Sequence, residues 1–350
     1  MPTTTTIRPE PAHHPEHDRG LEAVLATVAQ QFGPSILTTP NGAATTPPAV
    51  VLTGSVALDH ALGVGGLPRG RITEIYGPEG VGKTTLALSV LAQAQRVGGT
   101  GVFIDTEHAL DLAWAQTVGV DTHRLLLCRP KSGEQALQVA SVLLASGAVD
   151  VLVVDSIAAL VPQVELDGQI GEQHAGVQAN LLSTALRTLA GQIARAQVAV
   201  VATNQLRQRA GVSGQPLYTA GGRALGYYAS VRLHLHHPRA VTDQQRVVGS
   251  HIRVQVTKNK LAPAWQSCEL EVHADHGLSA EASLLDLGLQ EGLITERGGW
   301  VSYGSLRLGR GRQAARRHLR EHPELADELN RELRARLLTD TPHTVEAAAS

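Results

Sequence analysis

Short runs of β-branched and aliphatic residues alternate with longer stretches of helical period along most of this chain. Val102-Phe103-Ile104-Asp105, Val149 to Asp155, Val198 to Ala202, Ala229 to Leu235 and Ile252-Arg253-Val254-Gln255-Val256 read as strands. Between them, Leu182, Leu186, Leu189 and Ile193 recur at i, i+4, i+7 and i+11, one face of a helix. Four consecutive apolar residues, Val151 to Val154, describe a strand buried on both faces. The alternation runs through residues 50–278 and predicts an α/β core: a mostly parallel central sheet with helices on both faces. Residues 1–20 are rich in Thr, Pro and His and are expected to be disordered. Residues 21–49 pair a helical stretch, Leu21 to Phe32 and ending at Gly33-Pro34, with a linker rich in Thr, Pro, Gly and Ala. From residue 279 to 338 the chain is helical and Arg-rich, which predicts a small separate α+β C-terminal domain. Residues 339–350 form a tail, and no internal repeat interrupts this order.

Composition adds limits. Of 350 residues, 43% are apolar and 18% charged, with a net charge of −2. No apolar run approaches the ~20 residues of a membrane span. Met1-Pro2-Thr3-Thr4-Thr5-Thr6 has no basic segment followed by an apolar one, so no secretory signal and no membrane partner are expected. The two cysteines, Cys128 and Cys268, lie far apart, which disfavours a disulfide framework or a zinc site and makes the cytoplasm the expected compartment. His234, His236 and His237 have no carboxylate or Cys at ligand spacing, so no metal is assigned to them. With so small a net charge, any nucleic-acid surface must be local.

The candidate chemistry centres on Gly77-Pro78-Glu79-Gly80-Val81-Gly82-Lys83-Thr84, which matches G-x-x-x-x-G-K-[ST]. Glycines let backbone N–H groups turn inward on phosphates. Lys83 brings a positive charge to the β- and γ-phosphates, and the Thr84 hydroxyl suits Mg²⁺. The loop lies between the strand-like Arg71 to Tyr76 and a helix opening at Thr85, where the helix dipole favours anions. Asp155 ends the buried strand, where open α/β sheets place ligand groups, and can hold the water shell of the same Mg²⁺. Glu107, after another strand, can activate water for attack on the γ-phosphate. Gln205 follows Val198 to Ala202. It reads equally as a γ-phosphate sensor or as a satisfied strand-end amide.

Several segments resemble the bacterial RecA recombinase family. They are Gly65 to Arg71, Glu74 to Glu79, Phe103 to Asp111, Asn204 to Arg207, Thr219 to Gly222, Tyr228 to Arg232 and Lys258-Asn259-Lys260. The likeness runs from about Leu21 to Leu338. It implies a P-loop NTPase core, ATP and Mg²⁺ as cofactors, and a DNA-dependent ATPase. Such an enzyme forms helical filaments of itself on single-stranded DNA, takes up double-stranded DNA, pairs homologous strands and exchanges them in recombinational repair. The resemblance also brings in the SOS repressor as a partner. It makes Glu107 the catalytic base and Gln205 the γ-phosphate sensor. Asp111 and Trp114 fall at the adenine, and Lys258 and Lys260 reach the ATP of the neighbouring subunit.

Two loops would then face DNA, one within Gln163 to Ala175 and one from about Leu206 to Ala220. Arg187, Arg207 and Arg209 become phosphate contacts, and Gly221 and Gly222 allow close backbone approach. Arg297, Arg307, Arg310, Arg312, Arg316, Arg317 and Arg320 form a basic cluster suited to duplex capture. The chain departs from the family in four places. Ala175 and Ala210 stand where large apolar wedges are usual, Asn180 replaces a basic residue, the second loop is one residue short, and the tail carries only Asp340 and Glu346. These departures keep open an alternative, an ATP-switched accessory or regulatory DNA-binding filament with little strand exchange.

Overall fold

The computed structural model describes residues 15–33, 36–37, 47–169, 172, 174, 176–207, 218–243 and 246–339. Ala175, Arg209, Ala210 and the 340–350 tail lie outside them. The chain falls into two units, one ending at Pro47 and one starting at Pro48. In the first, α1 (Pro15–Phe32) starts inside the stretch whose composition suggested disorder. Pro15 suits that first position, because it has no N–H to satisfy and a fixed φ. Gly33 closes the helix at φ 95°, and its N–H donates to the Ala29 carbonyl at 3.0 Å.

The second unit opens with β1 (Val50–Val51), α2 (Val56–Ala61) and β2 (Leu67–Pro68). Strand–helix alternation follows: β3 (Arg71–Gly77), α3 (Lys83–Arg96), β4 (Gly101–Asp105), α4 (Leu112–Val118), β5 (Leu126–Cys128), α5 (Gly133–Ser146) and β6 (Val151–Asp155). Then come α6 (Gln163–Asp167), α7 (Val177–Ala196), β7 (Ala199–Arg207), β8 (Tyr218–Thr219), α8 (Ala224–Tyr228) and β9 (Val231–Leu235). The hairpin of β10 (Arg239–Asp243) and β11 (Arg246–Asn259) leads to β12 (Ser267–His273) and β13 (Gly277–Leu278). The C-terminal part is α9 (Ala280–Gln290), β14 (Ile294–Arg297), β15 (Trp300–Tyr303), β16 (Leu306–Arg310), α10 (Arg312–Glu321) and α11 (Pro323–Thr339).

The central sheet runs β13-β12-β11-β9-β3-β7-β6-β4-β5. From β9 to β5 every pairing is parallel, while β11, β12 and β13 continue it antiparallel. The antiparallel arm is written in the sequence of β11. Buried Ile252, Val254 and Val256 alternate there with more exposed Arg253 and Gln255, the pattern of a strand with one face in water. In β6 both faces are covered. Val151 and Val153 pack with Leu88 and Leu91 of α3, and Leu152 and Val154 pack with Leu182, Leu186, Leu189 and Ile193 of α7 and with α5. The helical face marked out by spacing is thus the buried one.

The C-terminal segment has its own apolar cluster around Leu285, Ile294, Val301, Leu319, Leu329 and Leu333, which Val56 of α2 joins. It is also joined to the core by charge. Arg334 donates to Asp59 Oδ2 at 2.5 Å, and Asp59 is 1% exposed. Burial pushes the Asp59 carboxyl above its usual range, against the pull of Arg334.

Candidate active site

The C-terminal ends of β3, β4, β6 and β7 converge, and the loop Gly77 to Thr84 leaves β3 there. Two of its glycines are sterically required. A Cβ on Gly77 would lie 2.4 Å from the Leu235 carbonyl oxygen. Gly82, at φ 94°, is the N-cap of α3, and a Cβ there would lie 2.8 Å from Ile252 Cδ1. No side chain caps α3, so its first-turn N–H groups point outward at the loop, the arrangement that binds anions. Lys83 Nζ crosses the loop and donates to the carbonyls of Pro78 at 2.6 Å and Gly77 at 3.2 Å. Burial lowers the Lys83 pKa, opposed by the charges of Asp155, Glu107 and Glu79.

Asp155 is the hub. Its Oδ2 accepts from Thr84 Oγ1 at 2.6 Å, and its Oδ1 accepts from Thr203 Oγ1 of β7. Burial pushes its carboxyl up; hydrogen bonds from Thr203 and Thr84 act the other way. Glu107 is exposed at the end of the next strand, and Ser156 Oγ donates to its Oε1 at 2.5 Å. Thr84, Asp155, Glu107, Asp111 and Trp114 all line one cleft of about 260 Å³ with Asp105. An aliphatic and aromatic wall, Phe103, Leu110 and Trp114, therefore stands beside an oxygen-rich corner. Asp111 caps α4, with Oδ1 accepting from Ala113 N at 2.8 Å and Trp114 N at 3.2 Å. Trp114 Nε1 donates to Thr85 Oγ1 at 3.2 Å, which fixes the indole against the phosphate-loop helix. A hydroxyl and a carboxylate at hydrogen-bond distance suit a hard cation such as Mg²⁺, and the glycine loop suits phosphates. The residues fit the expected cofactors.

Gln205 sits beside the loop, because β7 pairs with β3 in the register Gly77↔Gln205. Lys258 and Lys260 stand apart from this cleft. Lys258 Nζ donates to the carbonyls of Gly226 at 2.6 Å and Tyr227 at 3.1 Å, and Lys260 Nζ donates to the same Tyr227 carbonyl at 3.3 Å. Burial lowers the Lys258 pKa, with further lowering by Lys260 and Arg232. Arg187 is exposed on α7 and Arg207 ends β7; Arg209 is outside the described residues. Gly221 and Gly222 have φ of 76° and 79° and press on α7; a Cβ on Gly221 would stand 2.4 Å from Leu182 Cδ1. Positive φ and close packing on α7 both favour glycine there. Within the C-terminal arginines, Arg316 is engaged by Glu271 at 2.7 and 2.9 Å and Arg312 by Asp286 at 2.9 Å. Those two side chains are partnered within the subunit.

The chain matches the RecA N-terminal domain over residues 19–279 and the RecA C-terminal domain over 282–338. The chain belongs to the RecA family. Curated relatives named Protein RecA agree: that of Symbiobacterium thermophilum is 49% identical over 92% of this chain and 93% of its own length. Those of Gluconobacter oxydans and Rubrobacter xylanophilus are 48% and 46% identical, covering 91% and 92% of this chain and 92% and 94% of their own. As a member of that family it is a nucleotide-binding, DNA-dependent ATPase and recombinase of DNA repair, and it binds DNA as a filament of its own subunits. Among the described residues no helix is long and apolar enough to cross a membrane.

Sequence reasoning missed the residues that hold this site in place. Thr203 and Ser156 grip Asp155 and Glu107, and Gln178 Nε2 donates to the carbonyls of Ile157, Ala158 and Leu160 at 3.1, 3.2 and 2.9 Å. Gln178 thereby pins the turn after Asp155 to the start of α7. The one sequence signal for two of them was position: Ser156 follows β6, and Thr203 follows the apolar run Val198 to Ala202.

Proposed function

We propose that this protein hydrolyses ATP at the Thr84–Asp155–Glu107 corner and uses the bound triphosphate to organise filaments on single-stranded DNA. Gly77, Pro78, Glu79, Gly80, Val81 and Gly82 cradle the phosphates, with Lys83 over their charge and Thr85 beneath the helix start. Thr84 and Asp155 are the residues that would hold Mg²⁺, which when bound neutralises charge on the phosphate oxygens. Asp111 and Trp114 form the wall for the base. Glu107 holds the attacking water by its free carboxylate oxygen and takes its proton. Gln205, beside Gly77 in register, senses the γ-phosphate at the root of the loop that follows it. Lys258 and Lys260 act on the ATP of the neighbouring subunit. Arg187, Arg207 and Arg209 meet DNA phosphates, and Gly221 and Gly222 shape the loop's return. Double-stranded DNA, the SOS repressor and a cytoplasmic setting complete the reading.

The observation that carries the proposal is the single cleft in which Thr84, Asp155 and Glu107 meet. Relatives named RecA over nearly the whole chain favour the recombinase over the accessory filament. The test is a pair of variants. Lys83→Ala should lose nucleotide binding, whereas Glu107→Gln should keep it and lose turnover by ~10²-fold or more, because an amide orients water without accepting its proton. Steady-state hydrolysis and nucleotide binding measured side by side decide it; wild-type turnover in Glu107→Gln removes that residue from the mechanism.

A further inference from the structure

Four neighbouring strands carry one lateral row across the sheet. Ala202 of β7 faces Glu74 of β3, Glu74 faces Arg232 of β9, and Arg232 faces Lys258 of β11. Glu74 is 0% exposed, a carboxylate fully buried in the middle of the sheet. Its Oε1 accepts from Asn204 Nδ2 at 3.0 Å and its Oε2 from Arg232 Nε at 2.5 Å. Asn204 also donates to the Ala220 carbonyl at 3.1 Å, and its Oδ1 accepts from the Gln205 N–H at 2.9 Å. A single amide thus fixes the backbone that carries Gln205 and the far end of the segment that follows it.

On the other side, the Arg232 guanidinium lies 4.6 Å over the Tyr76 ring, and the Tyr76 hydroxyl meets Thr257 Oγ1 at 2.9 Å. Gly226 faces the same guanidinium, with room between them for a methyl: a Cβ there would stand 3.6 Å from Arg232 Cζ. Gly226 is also the residue whose carbonyl holds the Lys258 ammonium at 2.6 Å. Arg232, held by Glu74, pairs in register with Lys258, and its carbonyl accepts from Thr257 Oγ1, next to Lys258, at 3.3 Å. A sheet needs no charge at such a position, and a well-packed apolar pair often holds a fold as firmly. Asn204 directly precedes Gln205 on β7, and Arg232 pairs in register with Lys258 of β11.

We propose that Glu74 is a positioning residue, which sets Lys258 through Arg232 and ties it through Asn204 to the Gln205 backbone. A displacement at Gln205 is carried across three strands to a lysine that acts in the next subunit. The contacts form one contiguous chain that runs from buried Glu74 and Asn204 through half-buried Arg232 to Lys258, the kind of hydrogen-bond network that can carry coupling. The inference rests on the reading of Lys258 as a group that acts across the subunit boundary.

Mixed filaments on single-stranded DNA test it. Glu74→Gln subunits retain Lys83, Thr84, Asp155 and Glu107, while Glu107→Gln subunits retain Lys258 and its support. Alone, Glu74→Gln should lose ~10-fold or more in DNA-stimulated kcat with KM for ATP little changed, as a misplaced group does. Mixed in equal amounts, the two variants should turn over ATP faster than the mean of the separate filaments, because a sound lysine then meets a sound cleft. A defect of folding or of the variant's own cleft gives no such gain. Lys258→Ala mixed with Glu107→Gln serves as the reference. No gain there overturns the trans reading itself; a gain there with none for Glu74→Gln overturns the positioning role alone. Wild-type turnover in Glu74→Gln overturns it too. If Glu74→Gln fails to fold, Glu74→Gln/Arg232→Met, which removes both buried charges, takes its place in the same mixture.

Discussion

His234 illustrates how one residue's surroundings set a property of the whole chain. Its ring stacks on Tyr76 at 4.9 Å and tilts against His236 at 4.1 Å, one strand away from the phosphate loop. Burial, with the charges of His236 and Arg232, lowers its pKa from 6.5 to about 4. In the fold the imidazole stays neutral where an unfolded chain would bind a proton. Its contribution to stability is therefore present above pH 6.5 and is lost progressively as pH falls from 6.5 towards 4. Thermal midpoints measured across that window should fall for the wild type and fall less steeply for His234→Phe, which keeps the stack without the titration. Equal slopes would mean that the acid sensitivity lies elsewhere.

At the scale of elements, what could be read beforehand was what local pattern encodes. The buried face of α7, the two-sided burial of β6 and the glycine loop before α3 all follow from spacing and residue type within one segment. The residues that grip the site were illegible for the opposite reason. Glu74 meets Asn204 and Arg232 across separations of 130 and 158 residues, and nothing within Arg71–Gly77 marks its partners. The ion pair between α11 and α2 was equally hidden, so the C-terminal segment read as more separate than its contacts make it. Gly221 and Gly222 were legible as special positions, and both adopt positive φ and pack on α7. Gly221→Ala must place a methyl against Leu182 at positive φ, and should cost about 1–3 kcal/mol. Chemical denaturation reads that loss, and an unchanged midpoint would mean that α7 yields freely at this contact.

At the scale of the molecule, the junction of the core with its C-terminal segment and the link between ATP and DNA are open to direct test. Asp59→Ala leaves the Arg334 guanidinium without its carboxylate, although Asn330 and the Gly65 carbonyl remain within reach. A loss of about 3 kcal/mol is expected in equilibrium unfolding, with α2 and α11 loosened together. Turnover in that variant should persist below the melting range, since the phosphate loop is untouched; early loss of activity would show that the junction governs the cleft. On the proposed mechanism, Lys258 completes the Thr84–Asp155–Glu107 cleft only when subunits assemble on DNA. ATP turnover with and without single-stranded DNA, in the wild type and in Lys258→Ala, tests it most directly. Strong stimulation by DNA is expected in the wild type, and in Lys258→Ala unchanged ATP binding by the free subunit with the stimulation lost. Turnover independent of DNA, or full stimulation in Lys258→Ala, would contradict it.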